Sequence, residues 1–269
     1  QVQTIYHAAA YKHVPMVEAN VIEGARTNIR GTANIAECCI TASVQAMVLI
    51  STDKAVNPTS IMGATKRIAE SYCQALDLKR GDEDGTRFIT VRFGNVLGST
   101  GSVVPLFEKQ LRAGGPLTVT HADMTRYFMT VKESVELVLQ ASAFGTTAFK
   151  EDGKIFVLDM GDPVLILDLA KQIIRLAGLK PDEDIKIEFT GLRPGEKLFE
   201  EIFHGKEAPV PTVCPGVLLA APRTIGYEQF AKTLQEIEDA CATGNAKNAR
   251  AAIEQAVPEF IRPDEKIIK

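Results

Sequence analysis

The chain has 269 residues, 45% of them hydrophobic and 24% charged, with a formal net charge of -4. That composition excludes a disordered segment and leaves room for one large domain or somewhat more. Basic and acidic residues are interleaved without a basic block, which removes the electrostatic footprint of a nucleic-acid binder.

Five cysteines, an odd number with Cys38 and Cys39 adjacent and no C-x-x-C pair, point to a reducing compartment and away from a disulfide framework or a zinc site. Cys38, Cys39 and Cys73 are expected to pack within helices. No apolar run reaches the roughly 18 residues of a membrane span, and no signal-sequence pattern opens the chain, so a cytoplasmic location is expected.

In chain order, Val2 to Ala8 predicts a strand with no helix start or cap before it, an opening expected of a piece of something longer. Met16 to Ala42 predicts one helix, Ala46 to Ile50 a buried parallel strand, Thr59 to Leu76 a helix and Arg87 to Arg92 a strand. This βαβαβ order predicts an α/β fold with a doubly wound parallel sheet, Rossmann-like with its first strands missing. The polar stretch between Asp77 and Thr86 reads as a surface loop. Residues 1–95 are assigned to the C-terminal part of a dinucleotide-binding domain. Residues 96–269 are assigned mostly to a smaller mixed substrate lobe with a helical tail, some segments returning to the sheet. Within that part, helices are expected at Val103 to Ala113, Val131 to Ala143, Leu165 to Ala177, Tyr227 to Gly244 and Asn248 to Ala256. Strands are expected at Ile155 to Asp159 and Ile185 to Phe189.

The densest chemistry lies at Ser51-Thr52-Asp53-Lys54 and Ser60-Ile61-Met62-Gly63-Ala64-Thr65-Lys66. Polar groups directly after a parallel strand sit where open α/β sheets bind ligands. Met62 and Lys66, four apart, share one helix face that can look back toward Thr52, Asp53 and Lys54. No glycine-rich G-x-G-x-x-G turn follows a strand, so these residues do not distinguish NAD from NADP.

Five segments carry a resemblance: His7 to Pro15 (H-A-A-A-Y-K-H-V-P), T-D-K at 52–54, M-G-A-T-K at 62–66, R-F-G-N-V at 92–96 and R-P-G-E-K at 193–197. In this order and spacing the chain resembles the extended short-chain dehydrogenase/reductases. More narrowly it resembles the CapD-like UDP-N-acetylglucosamine 4,6-dehydratases of polysaccharide biosynthesis, in the subgroup with methionine in place of the usual tyrosine.

The resemblance implies a redox-neutral reaction on a UDP-sugar: oxidation at C4, loss of the C5 proton and the C6 hydroxyl, and hydride return to C6, with NAD or NADP as cofactor. It assigns Asp53 as the acid for the C6 hydroxyl, Lys54 as the C5 base with its proton affinity lowered by nearby Lys66, Thr52 as a partner of the C4 oxygen, and Lys66 as the holder of the nicotinamide ribose. With Met62 unable to exchange a proton, the C4 proton is left to Asp53, Lys66 or a bound water. Ala8, Lys12, Lys66 and Asn95 are carried over toward the cofactor. Lys12, Asn95, Val103, Arg126, Arg193 and Glu196 are carried over toward the substrate, the two arginines for its diphosphate. His13 is expected to make a structural hydrogen bond, Asn28 to brace the active-site strand, and no metal is implied. A homodimer, a membrane-anchored full-length form at the cytoplasmic face, and weak cofactor binding by this chain alone are further implications. A C4 epimerase and an inactive nucleotide-sugar-binding module are the alternatives.

Overall fold

The computed structural model describes residues 2–80, 85–147, 153–205 and 209–262. Strands β1 (Thr4–His7), β2 (Ala46–Ile50), β3 (Arg87–Arg92) and β8 (Ile155–Leu158) run parallel, side by side. Beyond β8 the sheet continues with β12 (Val217–Ala220) and β11 (Val210–Pro211), each antiparallel to its neighbour. The run Ala46-Met47-Val48-Leu49 is buried on both faces of the sheet, which is why it is apolar throughout rather than alternating. Its odd and even members still part by the two-residue period of a strand. Met47 and Leu49 pack with Ile61 and Ile68 on one side; Ala46 and Val48 pack with Val138 and Ala141 on the other.

The predicted helix over 16–42 is instead four pieces: α1 (Val14–Ala19), α2 (Val21–Ala25), a π-turn (Arg26–Arg30) and α3 (Gly31–Thr41). Asn20 leaves helical geometry at φ -132° and ψ 59°, with its Nδ2 donating to the Met16 carbonyl at 2.9 Å. Periodicity alone does not reveal such a break. Cys38 on α3 is exposed, correcting its expected place in helix packing, while Cys39 and Cys73 are buried.

Helix α4 (Ile61–Arg80) runs past the expected end at Leu76. Asp77 explains this: its two oxygens accept from the Phe88 and Gly153 backbone, both at 3.0 Å, and it pairs with Arg87 at 3.3 Å. A charge that reads as solvent-facing is buried structure. Of the loop expected over 77–86, residues 81–84 lie outside the described residues.

Beyond β3 come β4 (Asn95–Val96), α5 (Val103–Arg112), β5 (Leu117–Val119), β6 (Thr125–Arg126), β7 (Phe128–Met129) and α6 (Val131–Thr147). After β8 follow β9 (Val164–Leu165), α7 (Ile166–Leu176) and β10 (Ile187–Phe189). Phe107, Leu117, Val119, Ile166 and Ile174 form a separate core beneath the β5–β10 pair. Helices α8 (Tyr227–Ala242) and α9 (Ala246–Ala256) return to the first lobe, where Phe230 and Ile253 share the core that contains Ile61 and Tyr72. The chain thus contributes to the main sheet and its flanking helices from both sides of residue 95. Among the described residues, no helix is long and apolar enough to cross a membrane.

Candidate active site

The polypeptide leaves β2 still bonded to the end of β3, with Ser51 N donating to Val91 O at 2.8 Å and Asp53 N to Phe93 O at 3.0 Å. Thr52 then caps a single 3-10 turn over Asp53–Ala55. These backbone bonds fix three functional side chains at the carboxyl end of the sheet. Helix α4 approaches closely because residue 63 is glycine: a Cβ there would lie 2.2 Å from the Lys54 carbonyl. Gly94 leaves room for the Asp53 carboxyl, since its Cβ would come within 3.0 Å of Asp53 Oδ2.

A cleft of about 490 Å³ opens over this strand end. Thr52, Lys54, Met62, Lys66 and Asn95 all line it, so the structure brings the two sequence segments together. Asp53 lies behind that wall and is wholly buried. Its Oδ1 accepts from the Thr52 hydroxyl at 2.8 Å and from Lys54 Nζ at 2.9 Å, whereas its Oδ2 has no hydrogen-bond partner among the described residues. Any proton it exchanges with a ligand in the cleft therefore has Thr52 or Lys54 on its path.

Lys54 departs from the expected low proton affinity. Burial pulls its pKa down, but the Asp53 carboxylate and then that of Glu200, 3.9 Å away, outweigh it and hold the amine above its usual value. Its Nζ also reaches Asn95 Oδ1 at 3.4 Å. Lys66 is lowered, by burial first, and is not what sets Lys54's charge. Its ammonium donates to the Ile50 carbonyl at 2.7 Å.

Behind the site, Glu70 accepts from Ser51 Oγ at 2.6 Å and from Arg92 Nη2 at 2.7 Å, with Arg67 at 3.6 Å. Burial would raise its pKa, but the two guanidiniums hold it below the usual carboxylate value.

Asn28, presented by the π-turn, accepts from Tyr11 N at 2.7 Å and donates to Tyr11 O and Thr65 Oγ1, each at 3.0 Å. It clamps the loop after β1 onto α4 and does not brace β2. On that loop Ala8 and Lys12 face the cleft. Among the described residues the His13 ring finds no hydrogen-bond partner of the expected structural kind; it lies beneath Gly101, and the His13 carbonyl starts α1.

On the opposite wall Val103 opens α5, and the preceding Ser102 has a buried Oγ without a partner. Arg126 is not the free phosphate fork that was expected. Its Nη1 donates to Thr125 O and Leu198 O and its Nη2 to Lys197 O, which staples the 193–198 segment to β6. Arg193 is exposed at the cleft rim, and Glu196 Oε2 accepts from its backbone N at 3.2 Å. Lys197 Nζ, donating to Val56 O at 2.8 Å, fastens the same segment over the 3-10 turn.

Glu200, Ser102 and Glu70 were missed from sequence. Glu200, next to Glu201, is buried against Lys54 and Arg126. Among the described residues, no cluster of potential ligands could hold a metal ion.

A doubly wound parallel sheet with an acid, an amine and a helix-borne lysine at its strand ends is the architecture of an extended short-chain dehydrogenase/reductase. The chain belongs to the polysaccharide biosynthesis protein family, whose pattern residues 1–222 match. The capsular polysaccharide biosynthesis protein CapD of Staphylococcus aureus is 58% identical over 203 residues, covering 76% of this chain and 32% of that protein. This chain thus spans about a third of that relative's length (32%). The X-ray structure of Pen from Bacillus thuringiensis aligns at a TM-score of 0.72 and 32% identity, covering 87% of this chain and 75% of that one. The dTDP-glucose 4,6-dehydratase DesIV of Streptomyces venezuelae, solved with NAD bound, shares the fold at a TM-score of 0.64 and 21% identity, over 76% of this chain and 66% of that one.

Proposed function

We propose that the chain carries the catalytic face of a nucleotide-sugar 4,6-dehydratase that converts UDP-N-acetylglucosamine to a UDP-4-keto-6-deoxy-N-acetylhexosamine for polysaccharide synthesis. One observation carries this reading: a hydroxyl at the cleft wall, Thr52, donates to a buried carboxylate, Asp53, that is ion-paired to a cleft-wall amine, Lys54. Epimerisation works at one carbon. An acid and an amine side by side suit elimination across two adjacent carbons. The description of CapD supports a role in polysaccharide synthesis, and the NAD held by DesIV, which shares the fold, supports a nicotinamide cofactor.

The residues present fit a nicotinamide nucleotide, NAD or NADP. Ala8 at the end of β1 and Lys66 line the cleft beside Met62, and Lys66 Nζ is held in place by the Ile50 carbonyl, ready to reach a ribose hydroxyl. Once bound, the nicotinamide would supply the hydride acceptor for C4 and the hydride donor for C6.

Thr52 takes the proton of the C4 hydroxyl as it passes its own to Asp53 Oδ1, 2.8 Å away. The reverse transfer delivers a proton to the departing C6 hydroxyl, so Asp53 ends each turnover as it began. Lys54 removes the C5 proton and later returns one there. Met62 packs against the reacting sugar without exchanging a proton. Arg193 at the rim takes the diphosphate and Glu196 the ribose hydroxyls, while Lys12, Asn95 and the start of α5 at Val103 complete the sugar side.

Incubating the whole protein with UDP-N-acetylglucosamine is expected to give a 4-keto-6-deoxy product by NMR. Sugar bound but returned unchanged would contradict the reading, and inversion at C4 alone would mark an epimerase.

A further inference from the structure

Lys54 cannot remove a proton while it is an ammonium ion, and two carboxylates favour that form. Its neighbour on the side away from the cleft is Glu200. Glu200 Oε1 lies 3.9 Å from Lys54 Nζ and 3.7 Å from Arg126 Nε, and its Oε2 is buried without a hydrogen-bond partner among the described residues. Both Glu200 and Lys54 line a second, smaller cavity of about 110 Å³ that adjoins the large cleft, shares Lys54, Arg126, Arg193 and Glu196 with it, and is walled also by Thr59 and Lys197. An unpartnered oxygen in a buried carboxyl is a place where a proton can rest at little cost.

We propose that Glu200 is the proton store of Lys54, taking a proton from the ammonium before the C5 step and giving it back afterwards. In the first transfer an N–H bond of Lys54 breaks and an O–H bond forms on Glu200, leaving a neutral pair. Lys54 then accepts the C5 proton, the C–H electron pair expelling the C6 hydroxyl, and later returns a proton to C5. The proton on Glu200 finally returns to the amine, so the cycle closes without an outside acid or base. Glu200 touches no substrate atom: it is a positioning residue that acts through Lys54.

The charged groups facing Glu200 are consistent with this role. Burial first and the Asp53 carboxylate raise its pKa, against the cations of Lys54, Arg126 and Lys197, and the net direction is upward. Arg126 is turned partly away, its Nη atoms donating to carbonyls.

This inference rests on the dehydratase reading, and its test separates the two. With Glu200 present, the amine is freed without loss of a proton to solvent, so kcat is flat across roughly pH 6 to 8. In Glu200→Gln the proton must leave to solvent. There kcat is expected to fall about tenfold or more near neutral pH and to climb about tenfold per pH unit, with little change in KM. Glu200→Asp should restore the flat profile in part. A Glu200→Gln profile as flat as that of the unsubstituted protein, or an equal loss at every pH that Glu200→Asp does not relieve, would overturn the proposal. A second readout needs no turnover: in lysine-labelled protein the NMR titration of Lys54 should move to lower pH in Glu200→Gln, and an unmoved titration would contradict the contact. Absence of any keto sugar from the unsubstituted protein would instead count against the dehydratase reading, with the Lys54 titration still deciding for or against Glu200.

Discussion

Thr52 stands between a cleft and a carboxylate that has no surface of its own, and this placement decides how a proton can travel. Its hydroxyl donates to Asp53 and its oxygen accepts from Lys54 N at 3.4 Å, which leaves one lone pair to accept from a sugar hydroxyl. Thr52→Val keeps the shape and removes the relay. It is expected to cut kcat by about a hundredfold, within the range of general acid-base contributions, while Met62→Leu at the tyrosine-like position leaves kcat within about a factor of three. Steady-state rates of the two variants check this; the opposite order of losses would mean that Met62, and not Thr52, governs the C4 step. The sequence made Thr52, Lys54, Met62 and Lys66 legible as one site because a strand end and a helix turn fix their geometry locally. Glu200 was not legible. Its burial depends on the 193–200 segment folding back through Lys197 onto Val56 and through Arg126 onto Lys197 and Leu198, contacts made across many tens of residues.

Among the elements, β2 and β3 were read with their observed bounds, since short apolar runs buried on both faces leave little choice of ends. The breaks around Asn20 and the π-turn were not legible, and neither were the short strands β6, β7 and β12, although β1, β8 and β10 were expected near their observed places. The contact between α4 and the 3-10 turn also escapes a reading by motif, although Gly63 is its signature. Placing a methyl group 2.2 Å from the Lys54 carbonyl forces the helix and the turn apart. Gly63→Ala is expected to cost about 1–3 kcal/mol in urea unfolding, the usual range for overpacking, and to lower kcat because Lys54 moves with its carbonyl. An unchanged unfolding midpoint would show that the two elements do not meet as described.

At the scale of the whole molecule, the buried ion cluster of Glu70, Arg92 and Arg67 ties the end of β2, β3, α4 and the C-terminal segment into one body. Arg67 reaches the Arg223 carbonyl at 2.7 Å and Glu259 at 3.3 Å. Glu70→Gln leaves Arg92 buried without its carboxylate and is expected to cost about 3–5 kcal/mol. Because Glu70 titrates below its ordinary value in the fold, its contribution is complete above the unfolded carboxylate value of about 4.3 and is lost as pH falls through the lower folded value. Thermal unfolding of the two proteins should therefore differ most at neutral pH and converge in acid; a gap independent of pH would contradict the ionised pairing. The same sheet and clasped segments hold the cleft in which elimination is proposed. The most direct test of that central claim is the fate of deuterium placed at C4 of UDP-N-acetylglucosamine and turned over by the whole protein. Label recovered at C6 of a 4-keto-6-deoxy sugar is the predicted result, and label retained at C4, in substrate or in its epimer, would contradict it.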